Sequence, residues 1–234
     1  MEFNVSKQAV VAIVPAAGIG ARMQADKPKQ YLLLGEQSIL AHTLDTLLSH
    51  PQVDQVIVAL HPEDQFFASL TQAKHPKLIT VIGGGQRADS VLAAMNQCAD
   101  NAWAMVHDAA RPCLTHSDID KLLAAREQFP QGAILASPVR DTMKRASTDG
   151  VIDHTVCREQ LWHALTPQLF PAAKLRQNLL NGLANGATIT DEASAMEWAG
   201  EHPGLVSGRS DNIKVTHPDD LALAQLFLSQ IHNK

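Results

Sequence analysis

The sequence of 234 residues is 45% hydrophobic and 18% charged, which is typical of a globular protein long enough to bury a sizeable core. Its formal net charge is -5, so the composition argues against a broad positive surface for nucleic acid. An anionic ligand would have to be met by a local cluster of Lys and Arg side chains.

Cysteine usage and N-terminal hydropathy bear on the cellular compartment. Cys98, Cys113 and Cys157 are far apart, odd in number and form no C-x-x-C pair, which is typical of reduced thiols. The N-terminal apolar run 9–19 is broken by Pro15 and Gly18 and is too short to span a membrane. We therefore expect a cytoplasmic enzyme with no nucleic-acid partner and no membrane partner.

Short apolar runs alternate with helical patterns through the first 135 residues. Helices are predicted at 38–48 with Ser38 as N-cap, from Pro62, at about 88–99, and in a segment that Ser117 would cap. The apolar runs predict strands at 9–14, 55–60, 78–82, 103–107 and 133–136. Continuous apolar strands separated by helices indicate an α/β fold: a Rossmann-like, mostly parallel sheet with helices on both faces.

The pattern changes from Pro138 onwards. Segments 139–146 and 151–158 are mostly polar and flank Ser-Thr-Asp-Gly at 147–150, which predicts a β-hairpin with little apolar face to bury alone. We expect a single domain, 1–234, with a projecting hairpin arm at about 138–158 that packs on a second copy. Further helices are expected at 171–183, 191–198 and 218–231, with a strand at 213–215.

The segment after the first predicted strand, Pro-Ala-Ala-Gly-Ile-Gly-Ala-Arg-Met at 15–23, carries the strongest local signal. Ligands of open α/β sheets bind outside the carboxyl ends of the strands. Gly18 and Gly20 let the backbone approach a phosphate, and successive N–H groups form a concavity that binds anions. Arg22 and Lys29 add cations suited to phosphate oxygens. The segment therefore predicts a triphosphate site.

Other interpretations of this glycine-containing segment compete. A dinucleotide fingerprint needs a third glycine where Met23 stands, and a Walker loop needs G-K-[ST] at its end, which is absent. A plain glycine-rich turn with surface cations stays open on this segment alone. The strand, G-x-G-x-R-M and the following Pro-Lys together favour the triphosphate.

Further motifs follow in order along the chain. They are GG at 83–84 with RADSV at 87–91, HDAARP at 107–112, DTMK at 141–144, WHALTP at 162–167, TDEAS at 190–194 and DNIKVT at 211–216. With the glycine segment they resemble the 2-C-methyl-D-erythritol 4-phosphate cytidylyltransferase family of nucleotidyltransferases. The resemblance extends from residue 15 to about residue 223.

The resemblance implies a specific reaction. The cytidylyl group of CTP would pass to 2-C-methyl-D-erythritol 4-phosphate with Mg²⁺, giving 4-diphosphocytidyl-2-C-methyl-D-erythritol and pyrophosphate in the non-mevalonate route to isoprenoids. It also implies a homodimer whose arm crosses to the neighbouring subunit. Because phosphate is already a good nucleophile, we expect catalysis to come from positioning and charge stabilisation rather than from a strong base.

The resemblance also assigns residues to roles. Catalysis is expected from Arg22, Lys29, Lys214 and Asp108. Nucleotide binding is expected from Ala16, Ala17, Gly18, Gly20, Gly84 and Ser90. Substrate binding is expected from Thr142, Arg158, Thr166, Thr190 and Lys214. The metal would be held by Asp108 and Asp211.

Simpler roles compete with some of these assignments. Asp108 could cap a helix or pair with Arg111, and Ser90 could cap the helix that follows it. No histidine has metal-ligand spacing, and His107 is expected to be structural. At the level of function, ribitol 5-phosphate could replace the alditol, or the chain could be a nucleotide-binding regulator without catalysis.

Overall fold

The computed structural model describes residues 8–18 and 27–232. The strands are β1 (Val10–Pro15), β2 (Leu33–Leu34), β3 (Gln37–Ser38), β4 (Gln55–Leu60), β5 (Leu78–Ile82), β6 (Trp103–Val106), β7 (Ala133–Pro138), β8 (Met143–Ala146), β9 (Ile152–Val156), β10 (Trp162–Pro171) and β11 (Gly204–Ser207). The α-helices are α1 (Ile39–Ser49), α2 (Arg87–Met95), α3 (His116–Ala124), α4 (Ala172–Ala184), α5 (Glu192–Trp198) and α6 (Asp219–His232). Short 3₁₀ helices occupy Lys29–Tyr31, Phe67–Ser69 and Thr71–Lys74.

The central sheet has the strand order β11-β7-β10-β6-β1-β4-β5. Neighbouring strands pair in parallel, except that β10 runs antiparallel to both β6 and β7. The chain passes from β1 outwards to β4 and β5, then returns to the other side of β1 as β6. This reversal of strand order creates a crevice at the carboxyl ends, where α/β proteins bind ligands. The predicted α/β fold with a mostly parallel sheet is confirmed.

Alternating residues of β1 divide the hydrophobic core into two layers. Val10, Ala12 and Val14 pack in the cluster that contains α1 and α3, whereas Val11 and Ile13 pack with α2, α4 and α5. Both faces of the sheet are therefore covered by helices, which explains why the strands are continuously apolar in sequence. In the described part of the chain, no helix has the length and apolar character needed to cross a bilayer.

Several predicted boundaries agree with the structure, and others do not. Strands β4 and β5 have the predicted limits, and the Ser38 side chain accepts a hydrogen bond from the Ala41 N–H (3.2 Å) at the start of α1. The helix predicted from Pro62 is wrong. Asp64 Oδ1 instead accepts from the N–H groups of Phe66 and Phe67 (3.0 and 2.8 Å), a side-chain turn that competes with a regular helix.

The start of α3 was also predicted incorrectly. Thr115, not Ser117, is its N-cap, and the side chains of Thr115 and Asp118 bond each other's backbone N–H groups in a capping box. The Thr-x-x-Asp spacing explains the shift of two residues, because an acidic residue three positions after the cap completes the reciprocal bonding. Ser117 lies exposed within the first turn.

The strand predicted at 213–215 is not formed. Residues 213–215 have no regular secondary structure, and the N–H of Val215 donates to the carbonyl of Ala110 of the same chain (2.8 Å). Strands β10 and β11 were missed. In β10 the apolar pattern is interrupted by Thr166-Pro167, and its pairing with β7 shifts register between Ala164 and Gln168.

Strands β8 and β9 form a separate two-stranded antiparallel sheet within the predicted arm, residues 138–158. Its residues are mostly exposed, including Val151 (65%) and Ile152 (61%). Across the two strands, Lys144 Nζ donates to Thr155 Oγ1 at 2.6 Å. A hairpin with two largely exposed faces gains little stability from its own side chains, so a second surface would be needed to bury them.

Candidate active site

A cleft of about 290 Å³ opens at the carboxyl ends of β1, β5 and β6. It brings together eight of the predicted residues: Ala16, Ala17, Gly18, Lys29, Gly84, Ser90, Asp108 and Lys214. The rest of its lining is formed by Pro15, Gln30, Gly85, Gln86, Arg87, Ala109 and Ala110. The predicted residues Gly20 and Arg22 lie outside the described residues.

The segment after β1 is held in place from behind by Gln30. This side chain is 4% exposed, and its Nε2 donates to the carbonyls of Ala16 (2.7 Å) and Gly18 (3.1 Å). The N–H of Ala16 donates to the carbonyl of Ala59 on β4 (2.8 Å). The backbone of residues 16–18, which is expected to approach a phosphate, is thereby fixed to β4 and to the 3₁₀ helix Lys29–Tyr31. Gln30 was not predicted, although it directly follows Lys29.

Ser90 organises the second glycine segment, residues 83–85. Its hydroxyl accepts from the N–H of Gly84 (3.1 Å) and lies 3.2 Å from the carbonyl of Gln86, to which it can donate. A Cβ added at Gly83 would lie 2.7 Å from the Cβ of Ala17, so the Ala17 methyl group lies close to the bare backbone of Gly83. The alternative that Ser90 caps α2 is wrong, because Gln86 occupies the N-cap.

The two predicted lysines both line the cleft and are linked through one segment. Lys29 Nζ donates to the carbonyl of Val215 (3.0 Å), and the preceding residue, Lys214, places its Nζ 2.9 Å from Asp108 Oδ2. The Lys214 side chain is 40% exposed, whereas that of Asp108 is 9% exposed. The segment expected to form a strand at 213–215 therefore provides the Lys214 ammonium group and, through the carbonyl of Val215, binds the ammonium group of Lys29.

Asp108 is a buried carboxylate surrounded by cations. Its Oδ1 lies 3.1 Å from Arg87 Nε, and its Oδ2 lies 2.9 Å from Lys214 Nζ and 3.6 Å from Arg111 Nε. Burial by itself raises the pKa of Asp108, but Arg87, Lys214 and Arg111 outweigh it and hold that pKa well below its usual value. The group is therefore ionised at neutral pH. Asp108 therefore pairs with Arg111 and also lines the cleft.

Arg87 links Asp108 to a second buried carboxylate that was not predicted. Its Nη1 and Nη2 donate to Oε1 and Oε2 of Glu192 at 2.6 and 3.0 Å, while its Nε donates to Asp108. Glu192 is 1% exposed and is the first residue of α5. Arg87 and Glu192 both stand within motifs noted in the sequence, but they are 105 positions apart, and spacing alone could not pair them.

His107 and Thr166 lie beneath Asp108. His107 Nε2 faces the carbonyl of Arg111 (3.1 Å), which can only accept, so Nε2 carries the proton and Nδ1 accepts from the Thr166 hydroxyl (3.0 Å). The Thr166 oxygen in turn accepts from the N–H of Asp108 (3.1 Å). Burial lowers the pKa of His107 to about 4, so the ring is neutral at pH 7. These contacts agree with the structural role expected for His107.

Five predicted residues are not brought to the cleft of the same chain. Thr166 is buried, and its hydroxyl is bonded as described above. Thr142 and Arg158 are exposed in the arm, outside its two strands, and Arg158 donates to the carbonyl of Arg140. Thr190 is exposed before α5. Asp211 pairs with Arg209 (2.7 Å), which also binds the buried Asp118.

Comparisons with known proteins agree with this geometry. The sequence pattern of the family described as IspD, 2-C-methyl-D-erythritol 4-phosphate cytidylyltransferase, matches residues 10–230. The enzyme of that name from Shewanella sediminis is 68% identical over 98% of both chains. The one from Shewanella oneidensis is 74% identical over 94% of this chain and 88% of its own.

Solved structures give the same result. A crystal structure of a 4-diphosphocytidyl-2C-methyl-D-erythritol synthase superposes with a TM-score of 0.82 at 37% identity, covering 95% of this chain and 99% of the other. The Francisella tularensis 2-C-methyl-D-erythritol 4-phosphate cytidylyltransferase superposes with a TM-score of 0.83 at 34% identity, covering 94% and 100%. Sequence, fold and cleft therefore agree, and the chain belongs to the 2-C-methyl-D-erythritol 4-phosphate cytidylyltransferase family.

Proposed function

We propose that this chain transfers the cytidylyl group of CTP to 2-C-methyl-D-erythritol 4-phosphate and releases pyrophosphate. One observation carries the proposal: two backbone segments rich in small residues meet Lys29 and Lys214 in a single cleft at the carboxyl edge of the sheet. Bare backbone N–H groups and ammonium groups are what a triphosphate requires. The family relationship supplies the identity of the base and of the acceptor.

The reaction brings two anions together. A phosphate oxygen of the acceptor forms a bond to the α-phosphorus of CTP, the bond from that phosphorus to the bridging oxygen breaks, and the electron pair leaves with pyrophosphate. Charge builds on the α-phosphoryl oxygens and on the leaving group, where fixed cations lower the barrier most. We assign this role to Lys29 and Lys214, with Arg22 assigned by family resemblance alone.

Mg²⁺ fits the cleft through one protein carboxylate. Mg²⁺ commonly keeps several waters and takes one or two carboxylates together with phosphate oxygens, and Asp108 is ionised at the edge of the cleft. The described residues contain no group of three or more His, Cys, Asp or Glu side chains placed to hold a metal. Asp108 would therefore hold the ion together with the triphosphate, and the ion would neutralise phosphate oxygens. Asp211 pairs with Arg209 and is not among the residues that line the cleft.

The arm supports a homodimer in the proposed enzyme. Thr142 and Arg158 are exposed and lie outside the cleft of their own chain, and Val151 and Ile152 present apolar surface. Crossing of the arm to a second copy would bury that surface and would bring Thr142 and Arg158 to the partner's acceptor.

The free cysteines Cys98 and Cys113, both buried, are consistent with a cytoplasmic enzyme.

A substrate screen tests the proposed reaction. Pyrophosphate release is measured with CTP, ATP, GTP and UTP against 2-C-methyl-D-erythritol 4-phosphate and against ribitol 5-phosphate, with Mg²⁺ present. We expect turnover with CTP and the methylerythritol phosphate. Turnover with ribitol 5-phosphate alone would assign the other alditol, and tight binding of CTP without any product would indicate a regulator.

Mixed dimers test the crossing of the arm. Lys29→Ala disables the cleft and Arg158→Ala disables the arm, so a heterodimer of the two variants should contain one complete site and recover part of the activity. Arg145→Ala, which removes another exposed arm cation, is the matched control and should remain active alone. If isolated heterodimers show no recovery, each subunit uses its own arm.

A further inference from the structure

We propose that Arg87 and Glu192 form a positioning pair that holds the Asp108 carboxylate and ties the acceptor side of the cleft to the nucleotide side. This inference rests on the proposed function and adds two residues to it. Neither residue needs to touch the reacting phosphorus. Their effect would be exerted through the placement of Asp108.

The contacts of the Arg87 guanidinium support the inference. One guanidinium uses Nε on Asp108 Oδ1 and both terminal nitrogens on the two oxygens of Glu192, which is a bidentate contact with a fixed plane. Because all three nitrogens are engaged, the guanidinium cannot rotate without breaking a contact. Oδ1 of Asp108 is therefore fixed by Arg87, and Oδ2 remains directed at Lys214.

The elements that carry the pair show what it connects. Arg87 is the first residue of α2 and follows the glycine segment that Ser90 shapes, on the side of the nucleotide. Glu192 begins α5, two residues after Thr190, which family resemblance assigns to the acceptor. Gln168 of β10 anchors the same turn, because its Oε1 accepts from the N–H of Ala193 (2.9 Å) and its Nε2 donates to Asp191 (2.8 Å). The start of α5 is thus fixed to both the sheet and α2.

Burial raises the pKa of Glu192, but the bidentate contact with Arg87 opposes that rise and favours the anionic carboxylate. Arg87, Arg111 and Lys214 contribute three positive charges around the single negative charge of Asp108, and the buried Glu192 balances one of them. Without that balance Arg87 would lose its ionic contact with a buried carboxylate. An unpaired buried charge reorganises its surroundings, so we expect Asp108 and Lys214 to move when Glu192 is neutralised.

Steady-state kinetics on three variants test the pair: Glu192→Gln, Arg87→Lys and the double variant. Glu192→Gln preserves shape but removes the charge, and Arg87→Lys preserves charge but cannot reach two carboxylates. We expect each to lower kcat by about 10- to 100-fold while KM for CTP stays within about threefold, because placement of reacting groups is lost and base recognition is kept. The double variant should be within about threefold of the worse single variant, because the two residues act as one unit.

Arg176→Gln is the matched control. Arg176 of α4 bonds the carbonyls of Met95 and Cys98 and so ties down the other end of α2, away from the cleft. We expect this variant to lower the melting temperature and to keep kcat. A purely structural role for Arg87 and Glu192 would give the same pattern in their variants, namely a lower melting temperature with unchanged kcat, and would overturn the inference.

The wild-type screen separates this test from that of the proposed function. Failure of the wild type to use CTP and 2-C-methyl-D-erythritol 4-phosphate would remove the proposed reaction. The pair would then be judged from the same kcat ratios of variant to wild type, measured with whichever nucleotide and acceptor the screen shows to be active. A wild type with no turnover on any pair of substrates would overturn both proposals. Multiplicative effects of the two single substitutions would refute coupling in every case.

Discussion

At the scale of single residues, the cleft depends on groups whose protonation is fixed by their surroundings. Asp108 stays ionised because Arg87, Lys214 and Arg111 oppose the effect of burial on its pKa. His107 stays neutral because burial dominates its pKa. Asp108 and His107 therefore keep their charge states over the physiological pH range.

The neutral state of His107 predicts a pH dependence of stability. Because its pKa falls from 6.5 to about 4 on folding, the unfolded chain binds the proton first as the pH decreases. The contribution of His107 to the free energy of unfolding is complete above pH 6.5 and is lost as the pH falls towards 4. Between pH 6.5 and 5 the loss should amount to about 2 kcal/mol.

Urea unfolding of His107→Gln from pH 8 to 5 checks this prediction. The variant should be less stable at pH 8 but should lose less stability on acidification than the wild type. His202→Gln, which changes an exposed histidine, should follow the wild-type curve. Parallel curves for His107→Gln and the wild type would show that the ring is not the titrating group.

Gln30 is predicted to affect the affinity for CTP. In Gln30→Glu the donor to the carbonyls of Ala16 and Gly18 is replaced by a carboxylate that repels them, so the segment after β1 should shift. We expect KM for CTP to rise about tenfold, equivalent to about 1.4 kcal/mol. The same exchange at the exposed Gln177, whose amide bonds Asn181 on α4, is the control. An unchanged KM would mean that this segment holds its shape without Gln30.

At the scale of elements, helix ends can be tested by paired substitutions. Thr115→Ala removes the cap of α3 and should lower the free energy of unfolding by about 1 kcal/mol, as measured by chemical denaturation. Ser117→Ala, on the exposed first turn, should change it by less than about 0.5 kcal/mol. Equal effects of the two substitutions would contradict the observed position of the cap.

Much of this architecture was predictable because buried parallel strands leave a clear trace in sequence. The runs at β4 and β5 are short, apolar and bounded by turn residues, and they have the predicted limits. Strand β10 was not predictable in the same way, because its polar residues Thr166 and Gln168 bond inwards instead of facing solvent. Periodicity cannot separate an inward polar residue with a partner from an exposed one.

The residues of the site likewise divide into those that the sequence indicated and those that it did not. The glycine segment and the family resemblance together indicated Gly18, Gly84, Lys29, Asp108 and Lys214, all of which line one cleft. Gln30, Arg87 and Glu192 act on other protein groups, and the partners of Arg87 lie 21 and 105 positions away. Such residues become visible only when the fold has brought distant segments together.

At the scale of the whole molecule, the arm makes a prediction about assembly. Ile152→Lys places a charge on surface that we propose is buried against a second copy, so the variant should dissociate at protein concentrations where the wild type is dimeric. Sedimentation velocity measures the change, and activity should fall on dilution. Leu226→Lys, on an apolar residue of α6 that is 52% exposed, should leave the association state unchanged. A wild type that is monomeric throughout would refute the arm's proposed role.

The direction of β10 determines where the arm stands. Strand β7 ends at Pro138, and Trp162, which begins β10, pairs with it, so the chain leaves and re-enters the sheet at the same edge. A parallel return would have placed the entry point at the opposite edge, about the length of a strand away. Insertions and deletions between these two residues can thus change the length of the arm while the seven paired strands stay as they are. In the proposed dimer, the antiparallel strand would let the acceptor site of one subunit vary independently of the core of the other.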